Sequence, residues 1–140
     1  MPHKKLNVAA QGMLDAYKNL LDARGYVADA AQMTAANALQ ALYTNLLYFK
    51  VNRSSTLKRL LAPPRPPKGV YFWGGVGRGK SFLMDCFYNA VPIRRKTRLH
   101  FHEFMREVHR ELSALQGTVN PLNELGRRMA HRFKLICFDE

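Results

Sequence analysis

The chain has 140 residues, of which 47% are hydrophobic, and a formal net charge of +12. This length allows one domain of ordinary size with a real core, and the composition excludes a disordered chain. No apolar run approaches the length of a membrane span, and the N-terminus lacks the apolar core of a secretion signal. We therefore expect an intracellular location.

The positive charge is spread along the chain. Residues 1–68 hold ten Lys or Arg against three acids, and residues 69–140 hold twelve against seven. An excess of this size could attract a nucleic acid, an anionic membrane or an acidic protein. A nucleic-acid groove usually shows one basic stripe, which this chain lacks, so we expect no specific nucleic-acid partner.

Residues 1–61 are predicted to form a helical N-terminal segment. A first helix over residues 7–24 ends at Arg24-Gly25, because glycine commonly follows the last turn of a helix. Asp29 and Gln32 have the spacing of a capping box and predict the start of a second helix. Apolar residues recur along that helix at spacings of three and four, which predicts a core-facing stripe. The stripe consists of Leu39, Leu42, Tyr43, Leu46 and Phe49.

Residues 62–68 are predicted to form a spacer between this segment and a nucleotide-binding core at 69–140. Four of the five residues 63–67 are proline, which excludes a helix or a central strand and favours an extended, semi-rigid chain. Residues 69–73 are mostly β-branched or aromatic, and this short run predicts a buried parallel strand.

Residues 74–81 match the phosphate-binding loop pattern G-x-x-x-x-G-K-[ST] at every fixed position. The loop consists of Gly74, Gly75, Val76, Gly77, Arg78, Gly79, Lys80 and Ser81. Its glycines allow successive N–H groups to point at phosphate oxygens. Lys80 is predicted to contact the β- and γ-phosphates, and the hydroxyl of Ser81 to bind Mg²⁺. A strand before the loop and a helix after it are the context that this motif requires.

A second strand is predicted at residues 98–102, followed by a helix at 103–115. Three histidines in this part of the chain suggest a zinc site, but no fourth ligand with suitable spacing is visible. They are His100, His102 and His109. Histidines at such positions are usually satisfied by hydrogen bonds, and this interpretation is favoured over zinc.

Residues 135–138 are apolar and precede Asp139 and Glu140, which is the form of a Walker B strand. In phosphate-loop enzymes the Asp holds Mg²⁺, and a Glu after it can act as the base that polarises the attacking water. Cys137 in this strand and Cys86 in the preceding helical region are predicted to be reduced core thiols.

With these motifs in order, the chain resembles the ZapE family of bacterial cell-division ATPases and their mitochondrial relatives, a branch of the AAA+ group. The matching stretches are 69–81, 84–88, 100–105 and 135–140, so the resemblance covers nearly the whole chain. It implies an α/β fold, the P-loop NTPase of AAA+/ASCE type, in which helices cover both faces of a parallel sheet in three αβα layers. It also implies ATP and Mg²⁺ as ligands, and catalytic roles for Lys80 and Glu140.

The resemblance further implies a partner and a location. The partner is an FtsZ-type division protein, whose ring the family modulates in the bacterial cytoplasm, with peripheral association at an anionic inner membrane. The mitochondrial matrix is the alternative location. Members of the AAA+ group normally form homo-oligomers in which a neighbouring arginine completes the site.

Family members continue well beyond the Walker B strand, so we expect this chain to be a fragment with an incomplete core. The sensor residue, the arginine finger and the helical lid are absent from it, and the strand at 69–73 would have no neighbour. Unpaired buried backbone groups are costly. We therefore expect ATP binding with little turnover, in a chain that is marginally folded or prone to aggregate.

Two other functions are compatible with the residues. One is a nucleic-acid-associated P-loop ATPase, similar to a helicase loader, whose basic residues at 94–98 bind the phosphates of a nucleic acid. The other is a non-catalytic binding module in which residues 1–68 dock a partner and the nucleotide only stabilises the fold. The choice of ATP over GTP rests on the resemblance.

Overall fold

The computed structural model describes residues 3–74 and 79–139, with side chains from residue 12 onward. The chain divides into two compact units, Met1–Pro92 and Ile93–Glu140. The predicted domain boundaries, near residues 61 and 68, follow changes in composition and differ from this division; the assignment of functional domains stays a prediction. No helix in the described part of the chain combines the length and the apolar character needed to cross a membrane.

The first unit is helical. Its elements are α1 (His3–Ala23), α2 (Ala30–Ser54), α3 (Thr56–Leu61) and α4 (Lys80–Ala90). The predicted capping box begins α2: the side chain of Asp29 accepts a hydrogen bond from the Gln32 N–H at 2.7 Å, and Oε1 of Gln32 accepts one from the Asp29 N–H at 3.0 Å. Two backbone donors are thereby satisfied where the helix starts.

The core of the first unit lies where α1, α2 and α4 pack together. Met13 and Ala36 are fully buried and Phe87 is 2% exposed. Leu14 donates its N–H to Oε1 of Gln40 at 3.0 Å, which joins α1 to α2. The predicted stripe of α2 is confirmed at all positions but the last, which is partly exposed. The buried members are Leu39, Leu42, Tyr43 and Leu46.

The chain between α3 and α4 forms no regular element among the described residues. The spacer at 62–68 stays a prediction, whereas the predicted buried strand at 69–73 is wrong. Tyr71 is 85% exposed and Trp73 is 83% exposed. The reason is the backbone: a strand needs a hydrogen-bonded neighbour, and no strand in the described residues pairs with this segment.

The second unit contains a small parallel sheet. Its elements are β1 (Lys96–His100), α5 (Phe101–Ala114), α6 (Pro121–Arg132) and β2 (Leu135–Asp139). The two strands are parallel neighbours, with His100 opposite Asp139, and α5 packs against β1. Of the predicted three-layer α/β fold, the described residues therefore show one parallel strand pair and the helices of its unit.

The strand predicted at 98–102 lies two residues earlier, and α5 begins where that strand was expected to continue. Aromatic packing explains the difference. The ring of Phe138 lies 5.7 Å from that of Phe101 and 4.7 Å from that of Phe104, between ring centroids. Helical spacing places both phenylalanines on the side of α5 that faces β2, whereas a strand would separate them.

The exposed segment at 69–73 leads to a prediction about stability. We expect Tyr71→Ser to change the free energy of unfolding by no more than about 0.5 kcal/mol, because the ring has little packing to lose. Phe87→Ala, in the core, should cost about 3–5 kcal/mol. Urea unfolding of both variants measures this. A loss with Tyr71→Ser as large as that with Phe87→Ala would show that the segment is packed in solution.

Candidate nucleotide-binding site

The two ends of the predicted phosphate-binding loop are glycines with positive φ. Gly74 has φ 149° and Gly79 has φ 72°, values that residues with a Cβ rarely adopt. Residues 75–78, which carry the predicted sites Gly75, Val76, Gly77 and Arg78, lie outside the described part of the chain. The described ends have the backbone geometry that the motif predicted.

Gly79 is also the N-cap of α4. Its carbonyl accepts the hydrogen bond of the Leu83 N–H at 3.0 Å, which closes the first turn of the helix. Among the described residues no side chain caps this end, and the first turn of α4 holds no acidic residue. The N–H groups and the positive end of the dipole at a helix start favour the binding of an anion there.

Lys80 connects the two ends of the loop. Its Nζ donates a hydrogen bond to the carbonyl oxygen of Gly74 at 2.7 Å, and the residue is partly exposed. The ammonium predicted to contact phosphate therefore contacts the first residue of the loop. Ser81, the predicted Mg²⁺ ligand in this unit, follows Lys80 in the first turn of α4 and is exposed.

Asp139, the other predicted Mg²⁺ ligand, ends β2 in the second unit. Its Oδ2 accepts a hydrogen bond from Nη2 of Arg98 at 2.8 Å, in a pair whose side chains are 28% and 23% exposed. The strand register explains this contact. Arg98 is opposite Cys137, so Asp139, two residues further along, projects from the same face as a diagonal neighbour. Glu140, the predicted base, lies outside the described residues.

Both cysteines are buried and unbonded, as the sequence predicted. Burial raises the pKa of the Cys86 thiol, which Arg24 partly opposes. Burial likewise raises the pKa of the Cys137 thiol, against a smaller opposing effect of Arg98 and Lys96. A raised pKa keeps a thiol protonated at neutral pH, so neither cysteine has the character of a nucleophile or a metal ligand.

The three histidines do not assemble a metal site. His100 ends β1 and His102 lies in α5, with their rings stacked at 5.6 Å between centroids. Among the residues that the structure describes, no group of three His, Cys, Asp or Glu could hold a metal ion.

Sequence reasoning missed two sets of polar contacts near the predicted site. Arg98 was considered only as part of a basic cluster, although its position in a strand beside the Walker B strand is the signal for its pairing with Asp139. Gln32 was identified only as half of a capping box. A Cβ built on Gly79 would lie 3.3 Å from its Nε2, so the amide is next to the loop.

Comparison with known proteins agrees with these motifs. The family model described as "AFG1-like ATPase" matches residues 12–140. The Escherichia coli K12 protein "Cell division protein ZapE" is 40% identical over 135 residues, which cover 89% of this chain and 36% of that protein. A Danio rerio protein, "Lactation elevated protein 1 homolog B", is 41% identical over 88 residues, covering 55% of this chain and 18% of its own length. No solved structure shows a significant match.

The class defined by these findings is the P-loop NTPases, to which an ATPase family of this kind belongs. The chain belongs to the AFG1-like ATPase family, since the family model matches it from residue 12 to residue 140. It spans about a third, 36%, of the length of the E. coli relative. The predicted resemblance to the ZapE family is thereby confirmed.

The pairing of Arg98 with Asp139 leads to a prediction about stability. Arg98→Met should lower the free energy of unfolding by about 1 kcal/mol, because it removes the hydrogen bond and the positive charge that Arg98 supplies to a partly buried carboxylate. Arg132→Met is a matched control, since Arg132 pairs with Glu111 at 2.9 Å but is 51% exposed. Its expected cost is below about 0.5 kcal/mol, because solvent screens an exposed pair.

Urea unfolding of Arg98→Met, of Asp139→Asn and of the double variant Arg98→Met/Asp139→Asn measures the coupling between the partners. If the two substitutions act additively, the ion pair contributes nothing to the stability of the second unit.

Proposed function

We propose that this chain carries the nucleotide-binding part of an ATP-hydrolysing, AAA+-type ATPase. One observation carries the proposal: two glycines with positive φ bracket the loop, and Lys80 at the start of α4 reaches from one end to the other. In the structure the ammonium donates its hydrogen bond to a neutral acceptor, the carbonyl oxygen of Gly74. A triphosphate offers several charged oxygens in place of that neutral acceptor, so binding it is favourable.

The residues present fit Mg²⁺ by their chemistry. The metal prefers oxygen ligands, and the hydroxyl of Ser81 in the first unit and the carboxylate of Asp139 in the second are each of this type. When bound, Mg²⁺ would neutralise charge on the phosphates during transfer. The carboxylate of Asp139 is already balanced by a cation, the guanidinium of Arg98. Glu140 is proposed as the base that polarises the attacking water.

The cellular role is proposed from the relatives. The E. coli relative is named as a cell division protein, and we propose that the complete protein modulates an FtsZ-type division ring in the bacterial cytoplasm. Peripheral association with an anionic inner membrane and assembly into a homo-oligomer belong to the same proposal. The excess of positive charge supports attraction to an anionic surface.

The first test is binding of Mg²⁺-ATP to the 140-residue chain. Trp73 is the only tryptophan of the sequence and directly precedes Gly74, so its fluorescence reports on the loop. We expect saturable binding that Lys80→Ala weakens at least about tenfold, the effect of losing a charge-assisted hydrogen bond to phosphate. Lys58→Ala, on the exposed α3, is the matched control and should bind as the wild type does.

Calorimetry repeats the titration without relying on the fluorophore. Equal affinity of the wild type and Lys80→Ala would contradict the assignment of the loop. If the chain binds ATP, turnover measured as phosphate release is expected to be low, because AAA+-type enzymes complete the site with an arginine from a neighbouring subunit. Rapid turnover that Glu140→Gln abolishes would contradict this expectation and would show that the chain is catalytically sufficient.

The proposed cellular role has its own test. The complete protein, incubated with polymerised FtsZ-type protein, should change the amount of polymer that sediments in the presence of ATP, and Lys80→Ala should remove the change. No change with either protein would leave the ATPase assignment in place and would contradict the division-ring role.

A further inference from the structure

Polar side chains from the segment where α1 ends and α2 begins lie against the first turn of α4. The amide of Gln32 is next to Gly79, where a Cβ would approach its Nε2 to 3.3 Å. The same amide is held from the other side, because its Oε1 accepts the Asp29 N–H at 3.0 Å. Gln32 therefore has a fixed conformation, and its nitrogen end faces the last glycine of the phosphate-binding loop.

Arg24, in the turn that follows α1, contacts α4 two positions beyond Lys80. The Cζ atom of Arg24 lies 4.7 Å from the centre of the Phe82 ring, within the range of a cation–π contact. Tyr17 of α1 lies on the same ring, 6.0 Å between centroids. Phe82 is thus held by two side chains of the helical N-terminal segment.

These contacts lie on either side of the two residues predicted to bind phosphate and metal. Gln32 meets the residue before Lys80, and Arg24 meets the residue after Ser81. We propose that Gln32 and Arg24 are positioning residues of the nucleotide site, which hold the end of the loop in the conformation that binds the triphosphate. This inference rests on the proposed function, because its ligand is the phosphate group of ATP.

The physical basis is preorganisation. Gly79 has φ 72°, a left-handed conformation that glycine leaves at little cost. A loop that samples other conformations loses affinity in proportion to the time spent in them. Side chains that hold Gly79 and Phe82 in place therefore increase affinity without touching the ligand. The helical segment then does more than precede the nucleotide core: it supports the loop directly.

The chain offers variants that separate this role from helix capping. Asp29→Ala removes the carboxylate that caps α2 and keeps the backbone N–H that holds Gln32. Gln32→Glu keeps the acceptor for that N–H and replaces the nitrogen that faces Gly79. Gln32→Ala removes the acceptor for that N–H and the nitrogen together. The same logic applies to Arg24, for which Arg24→Lys retains the positive charge and Arg24→Ala does not.

We expect Gln32→Ala and Gln32→Glu each to raise the Kd for Mg²⁺-ATP about three- to tenfold, because each removes the amide nitrogen that lies against Gly79. Asp29→Ala should lower the urea midpoint, as loss of a cap does, and leave the Kd within about twofold of wild type. Affinity and stability thus change in different variants, which a purely structural role of Gln32 does not explain.

For the second residue, Arg24→Ala should raise the Kd about two- to fivefold, the size of an exposed cation–π contact, and Arg24→Lys should restore part of the loss. Arg53→Ala is the matched control. Arg53 makes the same kind of contact with Phe49, 5.4 Å from the ring centre, within α2. Its Kd should stay within about twofold of wild type.

The experiment is the Trp73 fluorescence titration with Mg²⁺-ATP, with calorimetry and urea unfolding on the same preparations. If the wild type binds and the Gln32 and Arg24 variants bind equally well, the inference is wrong and the proposed function stands. If only Gln32→Glu loses affinity, the effect is repulsion by the new charge, and the inference is again wrong. If the wild type does not bind ATP, the inference and the proposed function fail together.

Discussion

The first unit depends on the apolar contact among α1, α2 and α4. Ala36 is fully buried, and a residue this small lets helices approach closely, while Phe87 fills the space on the side of α4. The same helix carries Lys80 and Ser81 in its first turn. The packing that stabilises the unit therefore also sets the direction of the helix end that the phosphate-binding loop uses.

A second constraint is that each strand needs a hydrogen-bonded neighbour. Residues 135–139 and 69–73 have similar compositions, rich in aromatic and aliphatic residues, but only the first of them is a strand in the structure. Its partner is β1, which supplies the parallel ladder. Apolar character alone does not make a strand, because the backbone groups must also be satisfied. The exposed Tyr71 and Trp73 are the consequence of an unpaired segment.

This contrast shows which parts of the molecule the sequence could predict. The capping box of Asp29 and Gln32, the start of α4 and the strand before Asp139 depend on neighbours within a few residues, so local patterns identify them. The state of residues 69–73 depends on a distant neighbour, and so does the contact of Arg98 with Asp139, which follows from strand register. Local patterns carry no information about either.

The same distinction applies to the candidate site. The residues predicted to touch phosphate or metal belong to motifs and could be found by spacing, whereas the residues that hold those motifs could not. Arg98 is the clearest case, because the carboxylate it neutralises is the one proposed to bind Mg²⁺. Arg98 bonds Oδ2 of this carboxylate, and a bound Mg²⁺ would draw on the same negative charge, so metal binding and the β1–β2 ion pair would be linked. By reciprocity, any effect of Arg98 on metal affinity would equal the effect of the metal on the free energy of the ion pair.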